Sequence, residues 1–195
     1  PALYRMAEHD RLPDAVVGVA RSGWDVDQLR RHIHESLEAA GKELDAAVIG
    51  RIDEVLRYVD GDYREAATYQ RVAEAVDGYQ LPVFYFAIPP DLFDDVIQGL
   101  VDNGLHERAR VVVEKPFGRD LASARELNAL LHRHFPESSI FRIDHFLGKE
   151  AVQNLMVFRF TNTLLDPVWN RYYVDNVQIT LAEDFGIEGR GRFYD

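Results

Sequence analysis

Cysteine is absent from the sequence, which excludes disulfides, thiolate chemistry and cysteine-ligated zinc, and permits a reducing compartment without proving one. Long hydrophobic runs are lacking as well. None approaches the ~20 apolar residues that a membrane-spanning helix requires, and the opening Pro1-Ala2-Leu3-Tyr4-Arg5-Met6 has none of the regions of a secretory signal. A cytoplasmic location without membrane contact is the expectation. Lysine is scarce, with only Lys42, Lys115 and Lys149 among 22 basic residues. Positive charge is itself in deficit: 33 acids leave a net charge of −11, whose field repels polyanions and disfavours nucleic acid or an anionic membrane as partner. Any anionic ligand needs a locally positive pocket.

What is present is ample core. The 195 residues, 47% hydrophobic and 28% charged, suffice for one domain or for one and part of another. There is no initiator Met, and Pro1 reads as a cut end. Neither an internal repeat nor a low-complexity tract interrupts the chain.

The hydrophobic spacing alternates between two periods. Leu3, Met6 and Ala7 predict a first helix ending before Pro13, and the apolar run 15–20 predicts a buried strand. Val26, Leu29, Ile33 and Leu37 lie on one helical face, with Ser22 and Asp25 as candidate caps and Gly41 as the stop. Leu44, Val48, Ile52 and Val55 predict another helix, followed by a turn at Asp60-Gly61-Asp62 and a helix through Tyr69, Val72 and Val76. The strand between those two helices is short or indistinct. Three strand-then-helix cycles follow: 82–88 with 91–103, 110–114 with 121–134, and 140–143 with a helix from Gly148. Such alternation predicts an α/β fold with a doubly wound parallel sheet. From Asp175 the period falls to two, Val177, Ile179 and Leu181 alternating with polar or small residues, as in an antiparallel strand buried on one face.

In open parallel sheets, ligands bind outside the carboxyl ends of the strands. The residues there are Arg21, Glu114-Lys115-Pro116 and Asp144-His145. Arg21 stands where an acid would bind the ribose of NAD and where Arg accommodates the 2′-phosphate of NADP; the alternative is a solvated cation at a strand end. Pro116 biases Lys115 toward extended geometry and permits a cis bond, so that Lys115 projects over the sheet edge or stands as a surface Lys beside a turn. Asp144 and His145 precede Gly148-Lys149-Glu150, where a His, a Lys and free helical N–H groups can converge on one anion; a plain Asp-His hydrogen bond is the other reading. The pairs His32/His34 and His132/His134 are two apart on helices and face different ways, so no metal is expected there.

Together with Trp169-Asn170-Arg171 and Glu188-Gly189-Arg190-Gly191, the segments Glu114-Lys115-Pro116-Phe117-Gly118 and Arg142-Ile143-Asp144-His145-Phe146-Leu147-Gly148-Lys149-Glu150 resemble the glucose-6-phosphate dehydrogenase family. The resemblance runs in order along essentially the whole chain. Glu-Lys-Pro by itself is shared by several Rossmann-type sugar oxidoreductases, whereas Asp-His-aromatic-Leu-Gly-Lys-Glu is highly specific. The resemblance implies a Rossmann-like doubly wound parallel sheet without its first strand, in an NADP-binding domain over 1–150. It implies the opening of an α+β substrate and dimerisation domain, built on a large antiparallel sheet, over 151–195.

The activity implied is the oxidation of glucose 6-phosphate to 6-phosphogluconolactone with hydride transfer to NADP, in the pentose phosphate pathway. His145 and Lys149 would bind the substrate phosphate, Lys115 would bridge sugar and coenzyme, and Glu183 would contact sugar hydroxyls. Arg21 would recognise the 2′-phosphate, with Asp62 and Tyr63 near the adenine. Asp144 would orient a general-base His lying beyond Asp195, so it is left without its partner here. Two departures are Phe146, where many members have a Tyr able to reach the phosphate, and Phe93, where some relatives have a coenzyme-facing Tyr. The Gly-rich phosphate loop of the family is also expected outside these residues, so the chain alone is expected to be inactive and its full-length form a homo-oligomer. The competing readings are a truncated, non-catalytic paralogue acting by association, and another NADP-linked sugar oxidoreductase.

Overall fold

A computed structural model describes residues 2–41 and 44–180. Helix α1 (Ala2–Glu8) precedes strand β1 (Val16–Ala20), and helices α2 (Val26–Ala39) and α3 (Ala46–Val55) lead to β2 (Leu56–Asp60). Helix α4 (Ala66–Ala75) then connects to β3 (Val83–Phe86), α5 (Phe93–Asp102), β4 (Arg110–Glu114), α6 (Leu121–His134), β5 (Ile140–Ile143) and α7 (Glu150–Thr161). Helices α2, α3 and α6 start after Asp25, Asp45 and Asp120, whose side chains accept from orphan N–H groups. Asp25, rather than Ser22, caps α2: its side chain accepts from Gln28 N–H while the Gln28 amide oxygen accepts from Asp25 N–H, both at 2.8 Å. Asp120 and Ser123 form the same reciprocal arrangement at α6.

All strand pairings are parallel. β1 pairs with β2 in a register that sets Ala20 opposite Asp60, and β4 lies between β3 and β5, with Glu114 opposite Ile143. The expected parallel sheet is therefore present in two pieces. Between the facing edges of β1 and β3 runs a cleft of about 1070 Å³, walled by Val17, Val19, Tyr63, Tyr69, Phe84 and Phe86 among others. That is the gap left when no strand bridges the two halves. The indistinct strand of the sequence is β2, which follows α3 without a loop and buries Leu56 and Val59.

Each half has its own core. Tyr4, Ala7, Leu37, Val48, Ile52 and Leu56 pack α1, α2 and α3 against β2. Val111, Val113, Ile97, Leu100, Leu131 and Phe135 pack α5 and α6, side by side, against one face of the second sheet, and Tyr69 of α4 belongs to this second core. Helix α4 is thus the joint between halves: the Tyr69 hydroxyl donates to Tyr63 O at 2.6 Å, and the Tyr63 hydroxyl donates to Val19 O at 2.7 Å.

Beyond β5 the packing thins. α7 forms as its spacing from Gly148 predicts, yet it buries no side chain, leaving Leu155, Phe158 and Phe160 exposed. The strand expected from Asp175 is not formed among the described residues: 174–180 carry no strand pairing, and Val177 and Ile179 are 75% and 84% exposed. A one-face strand needs both a neighbour for its backbone groups and a core for its apolar face. The described residues supply neither. Leu181, the third member of that alternation, and Glu183 lie outside the described residues.

Candidate functional site

Parallel pairing puts the carboxyl ends of the strands of each sheet on one side, and the chemistry-bearing residues gather at those ends in two groups. The first follows β4 and β5. Because Glu114 is in register with Ile143, the next residue of each strand, Lys115 and Asp144, emerge side by side, and Lys115 Nζ lies 2.6 Å from Asp144 Oδ2. The other carboxylate oxygen accepts from Phe146 N–H at 3.0 Å. The Lys115 ammonium is the main cause that holds the Asp144 carboxyl below the usual carboxylate range, with burial opposing it. The parallel register thus pairs Asp144 with Lys115.

The Lys115-Pro116 bond is cis, and the chain then passes Gly118 at φ 136. A Cβ on Gly118 would meet Ala124 N at 2.5 Å, so both the backbone angle and the close approach to α6 require glycine. This tight return leaves a pocket of about 250 Å³ between Lys115 and the 87–90 segment. Phe93 contributes to its wall but is almost fully buried, its ring 5.4 Å from that of Phe86. Without a hydroxyl to hydrate, it serves the core at a position where a Tyr could turn outward.

His145 points its Nε2 toward Glu114 Oε1 at 3.6 Å, and the same carboxylate oxygen accepts from the Tyr85 hydroxyl. That hydrogen bond pushes the Tyr85 phenol up to about 12. Neither Tyr85 nor Glu114 was singled out by sequence as a ligand. The alternation of β3 could have indicated Tyr85, since a Tyr among apolar neighbours needs a partner for its hydroxyl. From Asp144 to Lys149 the backbone winds through successive turns, Leu147 N–H to Asp144 O, Gly148 N–H to His145 O and Lys149 N–H to Phe146 O. Lys149 stands at the N-cap of α7 and, among the described residues, forms no ion pair. The structure therefore joins Lys115 to Asp144 directly and carries His145 and Lys149 on the turn beside them, with no direct contact between those two.

The second group follows β1 and β2. Arg21 Nη1 lies 2.6 Å from Asp62 Oδ2, although its side chain remains 76% exposed. Asp62 also accepts from Arg64 N–H at 3.0 Å, and Arg64 N–H first, then Arg21, hold its carboxyl low. Asp60 Oδ1 accepts from both Ser22 N–H at 3.1 Å and Gly23 N–H at 2.7 Å. Ser22 and Tyr58 share a further hydroxyl contact. Tyr63 is partly buried, with its phenol raised by that burial, and its hydroxyl is committed to the Val19 carbonyl. The histidine pairs are engaged singly: His34 meets Asp53 at 3.0 Å, His132 meets Glu137 at 3.0 Å, and the His32 ring stacks obliquely on Trp24.

Two family profiles match the chain in succession: glucose-6-phosphate dehydrogenase, NAD binding domain, over residues 1–154, and glucose-6-phosphate dehydrogenase, C-terminal domain, over residues 156–195. The chain belongs to the glucose-6-phosphate dehydrogenase family. A glucose-6-phosphate 1-dehydrogenase 1 of Mycobacterium bovis is 44% identical over 194 residues, spanning 100% of this chain and 41% of the relative. The glucose-6-phosphate 1-dehydrogenase of Mycolicibacterium smegmatis is 42% identical, with 42% of its length covered. The chain thus spans about two-fifths of the length of the curated relatives it matches. Among solved structures, glucose-6-phosphate 1-dehydrogenase from Mycobacterium avium superposes with a TM-score of 0.87 at 44% identity, covering 99% of this chain and 43% of that one. A glucose-6-phosphate dehydrogenase in complex with its substrate glucose-6-phosphate gives a TM-score of 0.77 at 36% identity, covering 88% and 38%. Membership in this family, over both segments, sets aside the reading as a different Glu-Lys-Pro sugar oxidoreductase.

Proposed function

We propose that the protein carrying this chain oxidises glucose 6-phosphate to 6-phosphogluconolactone and passes the hydride to NADP, as an oxidoreductase of the pentose phosphate pathway. The observation that carries this is the Lys115–Asp144 pair, 2.6 Å apart, which joins the Glu-Lys-Pro motif to the family-specific Asp-His-aromatic-Leu-Gly-Lys-Glu motif. The coenzyme, when bound, supplies the hydride acceptor. The chain's own residues then do the rest. Lys115, at the edge of the small pocket, fixes a sugar hydroxyl beside the coenzyme, its charge already oriented by Asp144. A carboxylate has about four lone-pair sites, so Asp144 can accept from Lys115, from Phe146 N–H and from the general-base His that the family places elsewhere. By that contact it stabilises the cation formed as the base takes the C1 hydroxyl proton.

His145 and Lys149 hold the phosphate. They sit on an exposed turn in a chain of strong negative charge, which is the local positive site an anionic sugar requires. Phe146 offers that phosphate no hydroxyl. Glu183 meets the sugar hydroxyls, and Arg21 meets the 2′-phosphate with Asp62 and Tyr63 beside the adenine. An exposed guanidinium at the end of β1 fits a doubly charged group. The 1–150 segment is the coenzyme half and 151–195 begins the substrate and dimerisation half. The exposed apolar residues of α7, Leu155, Met156, Val157, Phe158 and Phe160, support packing in a larger assembly, a homo-oligomer in the cytoplasm. No helix among the described residues is long and apolar enough to cross a membrane.

The test is coenzyme reduction by the intact protein with glucose 6-phosphate against unphosphorylated glucose. Turnover strongly favouring the phosphorylated sugar is expected. Equal rates on the two sugars, or a folded protein that binds neither NADP nor sugar phosphate, would overturn the proposal, and the second result would favour a paralogue acting by association.

A further inference from the structure

The three hydrogen-bond donors that the end of β1 offers to a coenzyme ribose are all occupied by carboxylates of β2 and the turn after it. The Arg21 guanidinium lies 2.6 Å from Asp62, and the Ser22 and Gly23 N–H groups donate to Asp60 at 3.1 and 2.7 Å. The register that sets Ala20 opposite Asp60 brings the residues that follow each strand to the same place. Two further cations stand near the turn. The Arg64 guanidinium is bound to Asp95 at 2.8 Å, and Arg71 donates to the Asp60 carbonyl at 2.8 Å.

We infer that Asp62 is a coenzyme-selectivity residue, whose carboxylate competes with a 2′-phosphate for Arg21 and so narrows the preference for NADP over NAD. This rests on the proposed role of Arg21 at the 2′-phosphate. A phosphate monoester brings about 1.5 to 2 negative charges to a turn where the Asp62 carboxylate already holds the Arg21 guanidinium. To bind, it must displace the Asp62 carboxylate from Arg21 or share the guanidinium with it. A 2′-hydroxyl meets no such opposition, and it can donate to a carboxylate, which is how acidic side chains receive the ribose of NAD. Asp62 is not free to swing away, because Arg64 N–H holds its other oxygen at 3.0 Å. The same pair therefore penalises one coenzyme and accommodates the other. Asp62 acts on selectivity through the availability of Arg21.

The experiment is calorimetric titration of the intact protein with NADP and with NAD, in four forms: unsubstituted, Asp62→Asn, Arg21→Ala and the double variant. Asn keeps an oxygen for Arg64 N–H, so the turn is preserved while the charge is removed. The expected result is that Asp62→Asn tightens NADP about two- to fivefold, the scale of an exposed ion pair, does not tighten NAD, and has no effect on NADP once Arg21 is Ala. An NADP to NAD affinity ratio that stays constant or falls in Asp62→Asn overturns the inference, and so does a gain that survives Arg21→Ala. If the unsubstituted protein reduces NADP with glucose 6-phosphate, that failure leaves the proposed function standing. A preference untouched by Arg21→Ala overturns the assignment of Arg21 itself, and absence of binding by either coenzyme overturns both.

Discussion

Tyr85, Glu114 and Lys149 carry the sharpest consequences at the scale of single residues. Tyr85 is held protonated by its bond to Glu114, up to about 12 against an ordinary value of 10.0. The folded value is raised, so this group's contribution to stability is complete below pH ~10, where the unfolded phenol titrates, and is lost as pH rises toward the folded value. Removing the acceptor with Glu114→Ala should bring one tyrosinate transition back toward the ordinary range, visible by ultraviolet titration; an unshifted titration would show that the Tyr85 hydroxyl is not bound to Glu114. For Lys149, which forms no ion pair among the described residues, a purely binding role predicts that Lys149→Ala in the intact protein mainly raises KM for glucose 6-phosphate. In the proposed role its charge meets a group remote from the reacting carbon, so kcat should fall much less than kcat/KM. Steady-state kinetics with both substrates varied decides this, and an effect confined to NADP would remove Lys149 from the phosphate site.

At the scale of elements, α4 and α5 show how one missing side chain sets a packing distance. Gly99 lies in α5, and a Cβ there would run into the ring of Tyr69 on α4. Tyr69 cannot retreat easily, because its ring belongs to the second core and its hydroxyl is bonded to Tyr63 O. Gly99→Ala would ordinarily favour a helix interior by somewhat under 1 kcal/mol, but here overpacking costs about 1–3 kcal/mol and wins. A lower urea midpoint, with near-ultraviolet circular dichroism changed by the displaced Tyr69, is the expected result; a stabilised variant would show that the two helices can slide apart. The caps give the complementary lesson. Asp25 rather than Ser22 starts α2 because only Asp25 has a Gln three residues on to return the bond.

For the whole molecule, the divided sheet is the governing feature. β4 is paired on both sides and buries Val111 and Val113 completely, whereas β1 and β3 each turn one edge to the cleft. Amide exchange should therefore be slowest in β4 and clearly faster in β1 and β3, since exposed edge amides open without global unfolding. Hydrogen exchange resolved by residue would check this, and equal protection in β1 and β4 would mean that the cleft is closed by something with strand-like hydrogen bonding. Tyr63 and Tyr69 matter at the same scale. With each hydroxyl spanning from one half toward the other, they join what the sheet does not.

Much of the chain was legible from local chemistry. The period of the apolar residues fixes which segments are helix and which strand, because burial of one face enforces it. The motifs that carry Lys115, Asp144, His145 and Lys149 mark the strand ends and the family. The period-two stretch after Asp175 shows the limit of that reasoning, since an alternating pattern is only a capacity to pair and 174–180 have no partner strand among the described residues. What only the tertiary structure decided is pairing across long sequence separations: Lys115 with Asp144, Arg21 with Asp62, Asp60 with the Ser22 and Gly23 amides, and Tyr85 with Glu114. Each depends on strand register, and register is set by how whole sheets and helices share a core rather than by any local run of residues.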